Sequence, residues 1–369
     1  MARRSSPEVN AGSMADIAFL LLIFFLVTTT IETDSGISRK LPPMEESEED
    51  VVIKQKNIFT VLLNGKDQLL VEDELMILED LRESAIEFLD NGGGTGEDAC
   101  TYCKGKKDPK SSDNPDKAII SLKNERETSY ATYISVQNEL VAAYTHLRNI
   151  RAQELYGESY SEMMKNYKDV NWPGNRERLK ENINRLRKEY PQKLSEVNII
   201  FHMSKFNKKK KGDLPAVNTA SLPDIVFMLL FFFMVVTVMR EDNKLVKNKL
   251  PDANQVEKLD KKNPISYIYM GEPSSGYINN SSSESENLKV DRIQLNDKLA
   301  SLEEIAIFIS SERAALREET VPFLTVSLKV DKNTNMGIVD DVKQELRKVN
   351  ALKINYTTGQ KEDVLSNMN

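Results

Sequence analysis

The strongest constraint on this chain is an internal duplication. Residues 9–31 read VNAGSMADIAFLLLIFFLVTTTI, and residues 217–239 read VNTASLPDIVFMLLFFFMVVTVM. The fold therefore consists of two related halves, each opening on an apolar segment that carries an acid. Asp16 and Asp224 hold the same place in the two runs, as do Val9/Val217, Asn10/Asn218, Ser13/Ser221, Phe19/Phe227 and Phe24/Phe232. A carboxylate in hydrocarbon costs about 2.5–3.5 kcal/mol on insertion scales. Its presence in both copies points to a task that needs a proton or a charge at that depth.

A chain of 369 residues has room for two or three domains. With 40% hydrophobic and 29% charged residues, it suits soluble bodies on small membrane segments rather than a many-span transporter. A net charge of −7 argues against a general nucleic-acid binder. The charge is uneven: Arg3 and Arg4 precede the first apolar run, and four lysines at 208–211 precede the second. The first run lacks a small-x-small cleavage site and reads as an uncleaved anchor rather than a secretory signal. Both runs are short for a span, the second more so. The alternative is a buried core helix, but Phe and Leu around the whole circumference, with basic residues ahead of each run, favour the membrane.

Each anchor leads into a charged connector, at 32–40 and 240–249, and then a Leu-Pro pair, Leu41-Pro42 and Leu250-Pro251. The duplication thus extends beyond the apolar runs. In the first half, 57–64 alternates as a strand, 65–67 turns and 68–71 returns as a hairpin. Residues 75–89 carry Leu78, Leu81, Ala85, Ile86 and Leu89 at helical spacing. A polar loop with both cysteines follows, then a strand at 118–122 and a long helix at 130–155. Trp172-Pro173-Gly174 breaks the chain, and 176–190 reads as a highly charged helix with a solvated face. In the second half, 265–270 is a strand, 276–279 a hairpin and loop, 281–286 low-complexity, 301–316 an amphipathic helix and 323–330 a strand. Residues 336–349 form a helix with Ile338, Val339, Val342, Leu346 and Val349 toward the core, and 352–356 a closing strand. The predicted class is α+β: two single-pass helices, each followed by a small mixed sheet with packed helices.

The duplicated Val-Asn and transmembrane Asp, the Leu-Pro after a short tether and the α+β bodies resemble the ExbD/TolR biopolymer transport family. The last strand–helix–strand, from Ser327-Leu-Lys-Val-Asp-Lys to Leu352-Lys-Ile-Asn-Tyr356, is similar to the family's closing elements, and 118–130 to the matching part of the first half. The family's usual single anchor is here doubled. The resemblance implies an N-terminus inside (1–13), transmembrane helices at 14–31 and 222–239, and tethers at 32–56 and 240–263. It further implies periplasmic domains at 57–202, with an extended C-terminus, and 264–369, with a basic cytoplasmic-type segment at 203–221 between the copies. It also implies an inner-membrane location, an ExbB/TolQ-like ring, a TonB- or TolA-like partner, ExbD-like dimerisation and use of the proton gradient. No cofactor, no metal and no enzymatic activity are expected, and no nucleophile–base constellation or Gly-rich phosphate loop stands out.

Asp16 and Asp224 are the candidate proton carriers. A neutral carboxyl can reside in hydrocarbon, whereas an ionised one needs a partner or water. The competing reading is a helix cap, because Ser13-x-x-Asp16 and Ser221-x-x-Asp224 both resemble a capping box, with the acid at the positive end of the helix dipole. Cys100 and Cys103 read as a redox pair, half a zinc site or a local disulfide. His146 and His202 lack finger-like spacing, and the Gly/Asp/Lys-rich surroundings favour a loop-stapling disulfide. The run 208–211 reads as a cytoplasmic topology signal in contact with acidic lipid.

These signals conflict in one respect. With both anchors entering from the inside, another crossing is needed between residues 32 and 205, and 197–201 is too short for one. Three resolutions follow: two joined reading frames, with Met203-Ser-Lys-Phe-Asn-Lys as a natural start; two products separated near Met203; or one copy in an unorthodox orientation. Functionally, an energy-transducing stator component stands against a structural envelope anchor that passes no protons.

Overall fold

Residues 35–40, part of the expected connector, form a strand, β1 (Ser35–Lys40). Ile37 and the adjoining Leu41 are buried, and the surface that buries β1 comes from far along the chain. β1 runs antiparallel to residues 353–357, with Gly36 opposite Thr357 and Lys40 opposite Lys353. Glycine is needed at 36, since a Cβ there would lie 2.1 Å from the Tyr356 carbonyl oxygen. The tether of the first copy is thus built into the sheet of the second.

The computed structural model describes residues 34–43, 53–196, 245–260, 263–274 and 291–360. All of these belong to one compact unit, Asp34–Ile200 with Lys244–Asn369. Both apolar segments, Asp16, Asp224, the lysines at 208–211, the segment 197–201 and the loops at 276–279 and 281–286 lie outside the described residues. Among the described residues no helix is long and apolar enough to cross a membrane.

The first body starts with β2 (Ile58–Leu63), which buries Phe59, Val61 and Leu63 in strict alternation, as a strand with one face on a core must. Asn64 shapes the next turn, its Oδ1 accepting from the backbone N–H groups of Lys66 and Gln68. The chain returns as β3 (Leu69–Val71), with Val61 opposite Val71. β4 (Glu74–Met76) then pairs Met76 with Leu69. This corrects the sequence expectation: Leu75 fits helical spacing, but it belongs to a short edge strand and is exposed. The helix α1 (Leu78–Leu89) starts after it and buries Leu81, Ala85, Phe88 and Leu89. β5 (Ile119–Asn124) lies parallel to β2, with Val61 opposite Leu122.

Helix α2 (Tyr130–Tyr156) begins where Ser129 accepts a hydrogen bond from the Thr132 N–H. It ends at Gly157, whose φ of 71° is the left-handed conformation that glycine adopts without steric penalty. An excursion follows through α3 (Tyr160–Lys168) and α4 (Arg176–Glu189). The charged α4 exposes most of its surface but sets Leu179, Ile183 and Leu186 into a small satellite core with Ala152, Tyr160 and Met163. Strand β6 (Leu194–Glu196) then lies parallel beside β5, giving the order β4-β3-β2-β5-β6.

The second body has β7 (Asp252–Ala253), β8 (Glu257–Lys258), β9 (Ile265–Gly271), β10 (Arg292–Leu295), β11 (Lys298–Ala300), helix α5 (Glu304–Ala315), β12 (Thr325–Val330), helix α6 (Met336–Lys348), β13 (Lys353–Thr357) and β14 (Gly359–Gln360). The run β11-β10-β9-β12-β13 repeats the first body's strand order, and β1 and β8 extend it past β13 to seven strands. A short parallel pair, β7 with β14, completes the body. One apolar core runs through both bodies, taking in Val61, Leu122 and Ile134 from the first and Val326, Val339 and Tyr356 from the second.

Candidate functional site at the junction of the two copies

The loops that start α2 and α6 meet face to face. Tyr130 N–H donates to the Thr334 carbonyl and Met336 N–H to the Thr128 carbonyl, both at 2.8 Å. Ala131 N–H donates to Lys332 and Gly337 N–H to Arg126, at 3.0 and 2.8 Å. Each bond has its counterpart with the copies exchanged, so the junction has local two-fold character about the Ser129–Asn335 bridge. Such self-complementary contacts are how like surfaces pair.

The side chains at the junction do not follow that symmetry. Lys343 lies on the buried stripe of α6 with Val339, Val342 and Leu346 and is 2% exposed. Its Nζ is 2.7 Å from Glu196 Oε2 on β6 of the other copy and 3.1 Å from Asp340 Oδ1. Glu196 accepts further bonds from Gln137 Nε2 at 2.8 Å and the Tyr356 hydroxyl at 3.2 Å. Gln137 also donates to the Tyr133 hydroxyl and accepts from Arg39 on β1. Tyr133 and Tyr356 pack edge to face, 5.9 Å between ring centres.

Burial opposes ionisation of Glu196, but the Lys343 ammonium and the Arg39 guanidinium outweigh it and hold the carboxyl at about 2. Burial likewise opposes the charge on Lys343, and its neighbours, Glu196 foremost and Asp340 with it, outweigh burial, so the ammonium is held well above the ordinary lysine value. Burial raises the Tyr356 and Tyr133 hydroxyls, keeping both neutral. A charged pair is thus locked in a largely buried, hydrogen-bonded setting. Two further polar contacts flank it. Arg126 makes a bidentate pair with Asp341 at 2.8 and 2.6 Å, and Asn124 donates to Asp340 at 2.9 Å.

Of the residues singled out from sequence, Cys100 and Cys103 are described and joined to each other as a disulfide. They sit in the loop between α1 and β5. Asn91 braces that loop, donating to the Asp108 and Ser112 carbonyls at 2.9 and 2.8 Å and accepting from the Asp108 N–H at 2.9 Å. Among the described residues no group of three or more His, Cys, Asp or Glu is arranged to hold a metal ion. Lys343, Glu196, Gln137 and Arg39 were not candidates from sequence. A signal for one of them was present, since Lys343 falls four residues after Val339 and three before Leu346, on the stripe read as apolar.

A family model described as "Biopolymer transport protein ExbD/TolR" matches residues 2–155 and 210–361. The matches include Asp16 and Asp224 and leave out 156–209, which contains α3, α4 and β6. A comparison with curated proteins gives no match. Two matches that together span most of the chain, on bodies with one shared strand order, establish that the chain belongs to the ExbD/TolR family and carries two copies of its unit in tandem.

Proposed function

We propose that the chain is the ExbD-like component of an inner-membrane complex that uses the proton gradient to power transport at the outer membrane. Family membership supports a role in biopolymer transport, and the family is a non-enzymatic one. The observation that carries the finer reading is the duplicated acid in an apolar run, Asp16 and Asp224. Each carboxyl takes up a proton from the high-potential side, where desolvation favours its neutral form, and releases it against a polar group of an ExbB/TolQ-like ring. Each cycle changes the attraction between the carboxyl and the surrounding helices, and one charge moved across 100 mV is worth about 2.3 kcal/mol. The work is delivered to a TonB- or TolA-like partner through the α+β bodies.

The shared sheet narrows the topology conflict. Pairing of β1 with β13 requires both bodies on the same side of the membrane, which favours two joined reading frames, or two products separated near Met203, over copies in opposed orientations. The test of function is Asp16→Asn and Asp224→Asn, which keep polarity but carry no proton. The expected result is an inserted protein with energy-dependent uptake abolished. Normal uptake in both variants would favour the second reading, a structural envelope anchor whose aspartates only cap their helices.

A further inference from the structure

The two copies meet through a backbone contact that treats them as equals, yet the side chains buried there differ. The register makes the comparison explicit. Tyr130 and Met336 occupy equivalent places in the junction bonds, so Gln137 is the counterpart of Lys343. Ser121-Leu122-Lys123 and Ser327-Leu328-Lys329 are the same strand in the two bodies, and their pairings with β6 and β13 make Glu196 the counterpart of Tyr356. By the same relation Arg126 matches Lys332, Asp341 matches Ser135, Asn124 matches Val330 and Asp340 matches Ile134.

We infer that the two copies are matched, non-interchangeable halves, and that the Lys343–Glu196 pair with its flanking contacts selects first-with-second pairing over either copy with itself. Consider the first copy against itself. Two largely buried Glu196 carboxylates would each have Gln137 in place of the lysine. Arg126 would meet Ser135, and Asn124 would meet Ile134. Now consider the second against itself. Two Lys343 ammoniums would be buried facing Tyr356, and Asp340 would meet Val330 in place of Asn124. In both cases a largely buried charge loses its partner from across the junction, Lys343 keeping only Asp340 on its own helix, which is a destabilising arrangement. Only Lys332 opposite Asp341, in the second self-pairing, offers a new attraction, and Arg126 and Asp341 are the more exposed of these contacts, where an ion pair contributes little. The mixed pairing satisfies every one of these groups. Specificity is achieved here as much by making the alternatives unfavourable as by favouring the intended partner. β1 reinforces the choice, because the first copy's strand is seated on the second copy's β13.

The test uses the full-length chain in detergent, with a specific-protease site inserted between Lys211 and Gly212, so that cleavage removes the covalent advantage of the tandem arrangement. Cysteine at the axis reports which copies meet: Ser129→Cys alone cross-links first with first, Asn335→Cys alone second with second, and the two together first with second. After cleavage, prolonged exchange and oxidation, the mixed cross-link is expected in at least tenfold greater yield than either self-cross-link. Self-cross-links equal in yield to the mixed one overturn the inference. A second measurement assigns the cause. Glu196→Gln with Lys343→Gln removes both charges of the pair together, and Asp340 keeps its hydrogen bond from Asn124. It is expected to raise the self-cross-links at least tenfold, and no rise overturns the role given to this pair.

Discussion

Replacing Lys343 by methionine tests the junction most directly. Methionine keeps an unbranched stem of similar length, with sulfur in place of one methylene, and lacks the ammonium. Glu196 would stay in place, its side chain 13% exposed, with Gln137 and the Tyr356 hydroxyl still donating to it but its 2.7 Å charged partner gone. Breaking a buried pair from one side typically costs about 3–5 kcal/mol, because a charge is left uncompensated. The two surviving hydrogen bonds put this site at the lower end. The acid's own titration is of the same order: a carboxyl lowered from 4.5 to about 2 by Lys343 and Arg39 together corresponds to roughly 3 kcal/mol of stabilisation. The expected loss for Lys343→Met is therefore about 3 kcal/mol, read as a lower denaturant midpoint for the full-length chain in detergent, followed by circular dichroism. Adding Glu196→Gln should recover most of it, to within about 1 kcal/mol of the parent, since two neutral side chains at such a site are often no less stable than the ion pair and Asp340 keeps its hydrogen bond from Asn124. A loss below about 1 kcal/mol for Lys343→Met, or no recovery in the double variant, would refute the claim that this pair is buried and coupled.

Three further outcomes follow. Glu196 titrates lower in the folded protein than its ordinary value of 4.5, so its contribution is complete above that pH and is lost as the pH falls toward 2; the parent should lose stability steeply across that window, and the Glu196→Gln/Lys343→Met variant should lose less of it. Gly36→Ala places a methyl against the Tyr356 carbonyl, an overpacking typically worth about 1–3 kcal/mol; hydrogen exchange should show loss of protection at 36–40 and 353–357 while β2 and β5 remain protected. Cys100→Ser with Cys103→Ser opens a very short loop, for which chain entropy predicts about 2 kcal/mol; reduction of the parent should reproduce that decrease, and equal midpoints with and without reductant would show that Asn91 alone holds the loop.

Elements that bury their own face against near neighbours were legible in the sequence. The alternation of 58–63 and the stripe of 336–349 define β2 and α6 because strand and helix periods are written locally. β1 was not legible, since Ser-Gly-Ile-Ser-Arg-Lys has one apolar side chain and its partner strand begins at Lys353. β4 was hidden because Leu75 continues the spacing of Leu78 and Leu81, and a three-residue edge strand is too short to set a period of its own. In α4 the charges were conspicuous and the stripe of Leu179, Ile183 and Leu186 was not. The junction cluster escaped because its members are scattered over Arg39, Gln137, Glu196, Lys343 and Tyr356, each unremarkable alone, and only the pairing of the two bodies joins them. The duplicated aspartates were the clearest functional signal in the sequence, and they lie outside the described residues.

The exchanged strand has a mechanical meaning. β1 follows directly on the chain that leads from the first copy's N-terminal segment, and five residue pairs tie it to β13. Tension along its axis loads those pairs together, in shear, so they resist as a group instead of peeling one at a time. A tug on one half of the protein is therefore felt first by the sheet of the other.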